Sequence, residues 1–218
     1  MIGPHAFLRK EEVFQVLDYL QCRPLTDLHS RLNLSIFRLS ACCGLRTCEI
    51  KGLQLRDLNF NETFPCITVR GELGATKGKN GHYRSRVVPL NWDRGTYEDL
   101  LEWYEYRVQN TRDIRKEKLR GEQPYICGVT IYNWGKTIHV NQIAKKWKTA
   151  MKYALGPERA KQLSIHRGRD TFASWAIAMG RSVKEVQIAL GHASLSSTDV
   201  YTHAVDSLRP RPDIFAAP

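Results

Sequence analysis

Four polar residues near the end of the chain have types and spacing that suit a reactive site. His166 and Arg169 are three residues apart, His192 follows Arg169 by 23 residues, and Tyr201 follows His192 by nine. Histidine exchanges protons near neutral pH, arginine offers a forked set of donors to anions, and tyrosine is a nucleophile once it is ionised. The pattern therefore predicts a basic cluster that holds an anionic group beside a tyrosine.

The elements between these residues are predicted to be short helices. Apolar residues recur at helical spacing from Phe172 to Met179, and Gly180 ends that helix. A capping box of Ser182 and Glu185 begins a second helix, which Gly191 ends. A third short helix carries the tyrosine. We expect these helix ends to bring the four polar side chains together.

Two upstream motifs complete the pattern. Residues 44–49 read GLRTCE and supply Arg46, and residues 76–90 read TKGKNGHYRSRVVPL and supply a lysine. In this order, followed by HxxR, LGH and the tyrosine, the motifs resemble those of the tyrosine recombinase (phage integrase) family. The resemblance covers about residues 6–204. It implies an α+β fold, a mostly helical catalytic domain with a small antiparallel β-sheet.

The resemblance implies a role in DNA cleavage for each residue of the pattern. Two arginines neutralise the charge that builds on the phosphate oxygens, and the histidine of HxxR accepts the tyrosine proton. The later histidine donates to a phosphate oxygen, and the lysine protonates the leaving 5′ oxygen. The product is a 3′-phosphotyrosine, so no metal or other cofactor is implied. The implied catalytic residues are Arg46, Lys77, His166, Arg169, His192 and the nucleophile Tyr201.

The choice of the acidic lysine stays open between Lys77 and Lys79. Lys77 is nearer the end of the predicted strand, where backbone pairing can fix its position. Lys79 lies deeper in a glycine-rich tip, which favours a mobile phosphate contact. The hairpin geometry therefore favours Lys77 as the general acid.

The charge of the chain predicts a polyanionic partner, double-stranded DNA. The formal net charge is +11 and the isoelectric point is about 9.5. The six cysteines lack zinc spacing, and no apolar run is long enough to span a membrane, so a cytoplasmic, nucleoid-associated location is expected. Basic residues are concentrated on the hairpin and on a helix at 140–155. The expected DNA contacts are Lys79, Arg84, Arg86, Lys145, Lys146 and Lys148.

Apolar periodicity and turn signals predict the remaining elements. Helices are expected at 10–20, 27–43, 96–110 and 140–155, and strands at 66–70, 85–90 and 125–129. We expect residues 1–204 to form the catalytic domain and residues 205–218 a tail. Because the first helix begins by residue 10, we expect no N-terminal core-binding domain in this chain.

The function implied by the resemblance is site-specific DNA recombination, as in mobile elements. The implied assembly is a homotetramer on two DNA sites. An accessory DNA-bending or directionality protein is a further partner that the resemblance allows, and no membrane partner is expected. Two alternatives stay open: a type IB topoisomerase-like enzyme that relaxes DNA, and a DNA-binding accessory factor without catalysis. The sequence does not specify the recombination site, or choose among integration, excision, inversion and resolution.

Overall fold

The computed structural model describes residues 7–24, 26–61, 63–73, 85–111, 117–192, 197–198 and 201–202. The predicted tail and the hairpin residues Lys77, Lys79 and Arg84 lie outside these ranges. The helices with defined bounds are α1 (Lys10–Gln21), α2 (Leu28–Phe37), α3 (Thr47–Gly52), α4 (Arg94–Gln109), α5 (Glu117–Gly121), α6 (Val140–Leu155), α7 (Pro157–Gln162), α8 (His166–Ala178) and α9 (Val183–Leu190). The strands are β1 (Leu58–Asn59), β2 (Cys66–Val69) and β3 (Arg86–Pro89). Residues 197–198 and 201–202 are also helical.

The sheet is small and antiparallel, with β2 between β1 and β3. Leu58 pairs with Ile67, and Val69 pairs with Arg86 at the opposite end. The predicted mostly helical domain with a small antiparallel sheet is therefore confirmed. The strand predicted at 125–129 is wrong, because this part of the described chain forms only isolated bridges such as Cys127 with Thr137. The third strand is instead the two-residue β1.

The main hydrophobic core lies between the sheet and the long helices. Helix α6 shows why it forms: Ile143, Trp147 and Met151 recur every four residues, and all three are buried. The Trp147 ring stacks on Phe37 of α2 at a centroid distance of 5.3 Å. Among the described helices, none is long and apolar enough to cross a bilayer.

A second, smaller core joins α8 and α9. It contains Phe172, Ala173 and Ile177 from α8, Val186, Ala189 and Leu190 from α9, and the Tyr201 ring. Met179, predicted on the same apolar face, is 71% exposed because it follows the last residue of α8. The second core therefore anchors the predicted nucleophile against the two helices that carry the other polar residues.

The predicted helix at 27–43 changes from an α-helix to a π-helix after Phe37. Helix α2 ends at Phe37, and a π-helical turn follows at Arg38–Cys42. Helix α8 packs against this turn. The Ser40 hydroxyl donates to the Ile165 carbonyl at 3.0 Å. Gly168 lies so close to Ser40 that a Cβ at position 168 would be 2.1 Å from Ser40 Oγ. The close approach places the start of α8 beside the segment that leads to Arg46.

Candidate active site

Arg46 lies in the short link between the π-helical turn and α3. The Arg46 backbone N–H donates to Glu49 Oε2 at 2.7 Å, and its Nη1 donates to Glu49 Oε1 at 3.2 Å. Gly44 adopts φ +67°, and a Cβ there would lie 2.6 Å from the Phe172 ring. The backbone at Arg46 is thus fixed on both sides, while its side chain remains 35% exposed.

The Glu49 carboxylate also binds a second arginine. Arg86 Nη1 and Nη2 donate to its two oxygens at 2.7 and 2.8 Å, and Arg86 Nε donates to the Ala189 carbonyl at 2.7 Å. Burial would raise the pKa of the Glu49 carboxyl, but the hydrogen bonds and charge of Arg86 outweigh it, so the pKa is lowered. All three guanidinium nitrogens of Arg86 are directed into the protein, which argues against the DNA contact predicted there.

Arg169 lies in the first turn of α8 and joins two other parts of the site. Its Nη1 donates to the Gly44 carbonyl at 2.6 Å, and its Nη2 donates to the Leu190 carbonyl at the end of α9. Burial, followed by repulsion from Arg46 and Arg86, lowers the pKa of Arg169 to about 9. The guanidinium therefore remains charged at neutral pH and is oriented by two backbone carbonyls.

His192 follows the end of α9, as the sequence predicts. Its Nδ1 lies 2.9 Å from the Thr198 hydroxyl oxygen. Burial, then repulsion from Arg169, Arg46 and Arg86, lowers the pKa of His192 to about 4, so the ring is neutral at pH 7. With Nδ1 accepting from the hydroxyl, the ring proton would be on Nε2. That tautomer can donate to a phosphate oxygen.

Tyr201 packs beside His192 but is bound to a carboxylate. The two rings are nearly parallel, 15° apart with centroids separated by 6.3 Å, and Tyr201 is 7% exposed. Its hydroxyl donates to Asp170 Oδ1 at 3.0 Å, while Arg167 Nη1 donates to Asp170 Oδ2 at 3.0 Å. Burial and then Asp170 raise the pKa of the Tyr201 hydroxyl well above its usual value, although Arg169 and Arg46 oppose this. In this conformation, the phenol keeps its proton.

The structure thus brings together four of the six predicted catalytic residues, namely Arg46, Arg169, His192 and Tyr201. His166 is the first residue of α8, one turn before Arg169, and is exposed to solvent. The Tyr201 hydroxyl donates its hydrogen bond to Asp170, and the role of His166 as the proton acceptor of the reaction stays a prediction. Lys77 lies outside the described residues.

The three lysines predicted to contact DNA from α6 have different environments. Lys145 is exposed, whereas Lys146 is partly buried and burial lowers its pKa. Lys148 Nζ donates to the Ala160 and Leu163 carbonyls at the end of α7. Lys148 therefore satisfies a helix end, and Lys145 is the freest of the three to reach a phosphate.

The sequence missed two residues of the site, Asp170 and Thr198. The only sequence signal for Asp170 is its position directly after Arg169, which does not indicate a contact with the distant Tyr201. Thr198 precedes the tyrosine by three residues and has no motif of its own. In the described part of the chain, no group of histidine, cysteine or acidic residues could hold a metal ion.

Comparison of the sequence with known proteins shows the family of this chain. A model of the phage integrase family matches residues 6–207. The chain belongs to the phage integrase family. A tyrosine recombinase XerC of Thermodesulfovibrio yellowstonii is 30% identical over 197 residues, covering 90% of this chain and 57% of that protein. A tyrosine recombinase of Pseudothermotoga lettingae is 27% identical over 200 residues, covering 92% and 57%.

Solved structures share the fold of this phage integrase family member. The XerA recombinase has a TM-score of 0.65 at 20% identity, covering 94% of this chain and 64% of that one. The XerH site-specific recombinase bound to its difH substrate has a TM-score of 0.67 at 21% identity, covering 91% and 50%. This chain spans slightly more than half the length of the curated relatives it matches.

Proposed function

We propose that this chain is the catalytic domain of a site-specific DNA recombinase, which cleaves and religates DNA through a 3′-phosphotyrosine at Tyr201. The observation that supports the proposal most directly is the convergence of Arg46, Arg169 and His192 on Tyr201. Two guanidiniums and a neutral imidazole can bind the non-bridging oxygens of a phosphodiester while a phenol attacks its phosphorus. Membership of the phage integrase family supports the same chemistry.

Each step of this reaction uses a group of the chain. The Tyr201 oxygen attacks phosphorus, the bond to the 5′ oxygen breaks, and the charge that develops is stabilised by Arg46 and Arg169. The phenol proton passes to His166, and Lys77 protonates the leaving oxygen. The covalent phosphotyrosine conserves the bond energy, so a second 5′-hydroxyl can attack it and religate the strand.

The proposal includes the partners that such a reaction needs. A net charge of +11 supports binding to double-stranded DNA, and the fold is that of recombinases solved with DNA substrates. We propose a homotetramer on two DNA sites with a cytoplasmic, nucleoid-associated location. An accessory DNA-bending or directionality protein and a mobile-element origin complete the proposal.

The test is a covalent adduct on nicked suicide substrates. Duplexes tiled across the DNA that flanks the gene are incubated with the protein, and adducts are detected by denaturing gel electrophoresis. We expect protein on the 3′ end of one strand, with no effect of EDTA. Tyr201→Phe should bind the same duplex and form no adduct. An adduct in Tyr201→Phe would mean that another residue is the nucleophile.

The same material separates the proposal from its alternatives. A topoisomerase-like enzyme would relax supercoiled DNA without joining two sites, whereas a recombinase exchanges strands between two copies of the cleaved sequence. An accessory factor would bind the duplexes and form no adduct with the wild-type protein. Strand exchange between two labelled sites is therefore the result that supports recombination.

A further inference from the structure

Arg86, the first residue of β3, connects two parts of the active site. Its forked pair of hydrogen bonds to Glu49 leads to Arg46, because the same carboxylate accepts the Arg46 backbone N–H and side chain. Its third nitrogen binds the Ala189 carbonyl, three residues before His192. The Arg86 side chain is 9% exposed and the Glu49 side chain is fully buried. One guanidinium thus joins the segment of Arg46 to the segment of His192.

The packing around Arg86 is tight at the His192 end. Gly191 ends α9 with φ +67°, and a Cβ at this position would lie 2.7 Å from Arg86 Cδ. The glycine is needed both for its left-handed backbone and for this approach of the arginine stem. The position of His192 therefore depends on Arg86 through a hydrogen bond and through direct packing.

A guanidinium is suited to this connection in a way that an ammonium is not. Arg86 binds both carboxylate oxygens and a carbonyl from one rigid plane. A lysine has a single charged nitrogen, which cannot span the carboxylate and the carbonyl with the same geometry. The charge is also needed, because Glu49 would otherwise be a buried carboxylate with only the partly exposed Arg46 as its ion-pair partner.

We propose that Arg86 is a positioning residue for strand cleavage: it holds Arg46 and His192 in register through Glu49 and Ala189, and it makes no contact with DNA. The inference rests on the proposed recombinase function. It differs from a DNA-binding role because it acts on the chemical step rather than on affinity. A displacement of about 1 Å in a reacting group can reduce a rate about 100-fold.

The variants Arg86→Met and Arg86→Lys test the proposal, with Arg70→Met as the matched control. Arg70 directly follows β2 and pairs with the buried Asp57 and with the Gly52 carbonyl, so its loss weakens the same end of the sheet without touching Glu49. Affinity is measured on a short random-sequence duplex over a range of salt. Single-turnover adduct formation is measured on the suicide substrate at saturating DNA.

We expect Arg86→Met to bind DNA with unchanged affinity and salt dependence, and to form the adduct about 100-fold more slowly. Arg86→Lys should lose about tenfold, because it keeps the charge beside Glu49 and loses the forked geometry. Glu49→Gln combined with Arg86→Met should be no slower than Arg86→Met alone, because the amide removes the buried charge that Arg86→Met leaves uncompensated and keeps an oxygen acceptor for the Arg46 N–H. Arg70→Met should lower the melting temperature and cleave at the wild-type rate.

Three results would overturn the proposal. Weaker DNA binding with a reduced salt slope and an unchanged saturated rate would make Arg86 a DNA contact. A wild-type rate in Arg86→Met would remove any positioning role. Equal slowing by Arg70→Met would assign the loss to general destabilisation of the sheet.

A measurement without DNA separates this proposal from the recombinase function itself. His192 faces Arg169 of α8, Arg46 before α3, Arg86 of β3, and the Tyr201 and Thr198 side chains. In an NMR titration, Arg86→Met should raise the pKa of His192 from about 4, and Arg70→Met should leave it unchanged. If the wild-type protein forms no adduct while this shift is seen, the recombinase function fails and the placement of the Arg86 guanidinium beside His192 stands. An unchanged His192 pKa refutes that placement and with it the connection.

Discussion

The hydrogen bond from Tyr201 to Asp170 should restrain the proposed nucleophile, and Asp170→Asn should release it. The phenol donates to Oδ1 at 3.0 Å, and the carboxylate raises the pKa of a hydroxyl that burial already keeps protonated. An asparagine has nearly the same shape and leaves a neutral acceptor. The substitution removes the negative charge that opposes both phenolate formation and the approach of a phosphate.

The expected size of the effect follows from the type of hydrogen bond. A bond to a charged partner contributes about 1.5–3 kcal/mol and a neutral bond about 0.5–1.5 kcal/mol, so the difference is about 1–1.5 kcal/mol. Solvent screens this contact little, since Tyr201 is 7% exposed and the Asp170 side chain 16%. Because each 1.36 kcal/mol is a factor of ten in rate, adduct formation should be about tenfold faster.

Single-turnover adduct formation at several pH values is the assay. Loss of the carboxylate lowers the pKa of the Tyr201 hydroxyl, so the rising limb of the pH–rate profile should move to lower pH in Asp170→Asn. Glu158→Gln is the matched control, because Glu158 is an exposed carboxylate paired with Lys161. Slower cleavage in Asp170→Asn would refute the reasoning and make Asp170 the proton acceptor or an aligning group of the reaction.

Two further predictions concern DNA binding and pH. Lys145→Ala should reduce the salt slope of DNA binding by about 0.9, whereas Lys148→Ala should leave it unchanged and lower the melting temperature, because Lys148 binds the Ala160 and Leu163 carbonyls. Equal slopes in both variants would contradict this. The lowered pKa of His192 means that the unfolded chain takes up its proton first, so stability falls as the pH drops from about 6.5 to about 4. Urea unfolding should show a weaker pH dependence in His192→Gln, and identical curves would contradict it.

The sequence predicted elements whose causes are local. Helices α1 and α6 match their predicted ranges closely because their apolar periodicity is strong, and α9 begins at the predicted Ser182 cap. The helix predicted at 27–43 continues to Cys42, but its change to a π-helix after Phe37 was not predicted, because the π-helical turn packs against α8 and has no local sequence signal. The two-residue β1 is likewise too short to leave a periodic pattern.

The sequence predicted which residues form the candidate site, but not the hydrogen bonds that orient them. Spacing and motif order identified Arg46, Arg169, His192 and Tyr201, because each occupies a helix end or helix that the sequence marks. The contacts that orient them join residues far apart in the chain: Arg86 and Glu49 are separated by 37 positions, and Tyr201 and Asp170 by 31. From the sequence, Arg86 is one more positive residue on a basic hairpin, which favours a DNA contact. Its ion pair with Glu49 is formed only in the folded structure.

The proposed site holds several positive charges close together, and this is costly when no anion is bound. Arg46 and Arg86 lower the pKa of both Arg169 and His192, and for Arg169 the Glu49 carboxylate and the Tyr201 hydroxyl oppose this repulsion. A phosphodiester placed between Arg46 and Arg169 reverses the sign of this interaction, so it should raise the pKa of both Arg169 and His192. A bound phosphate would therefore relieve the repulsion that destabilises the folded chain at low pH, and this relief would favour binding. Asp170 has the opposite sign, so under the proposed mechanism the Tyr201 hydroxyl must leave it before a phosphate can take its place.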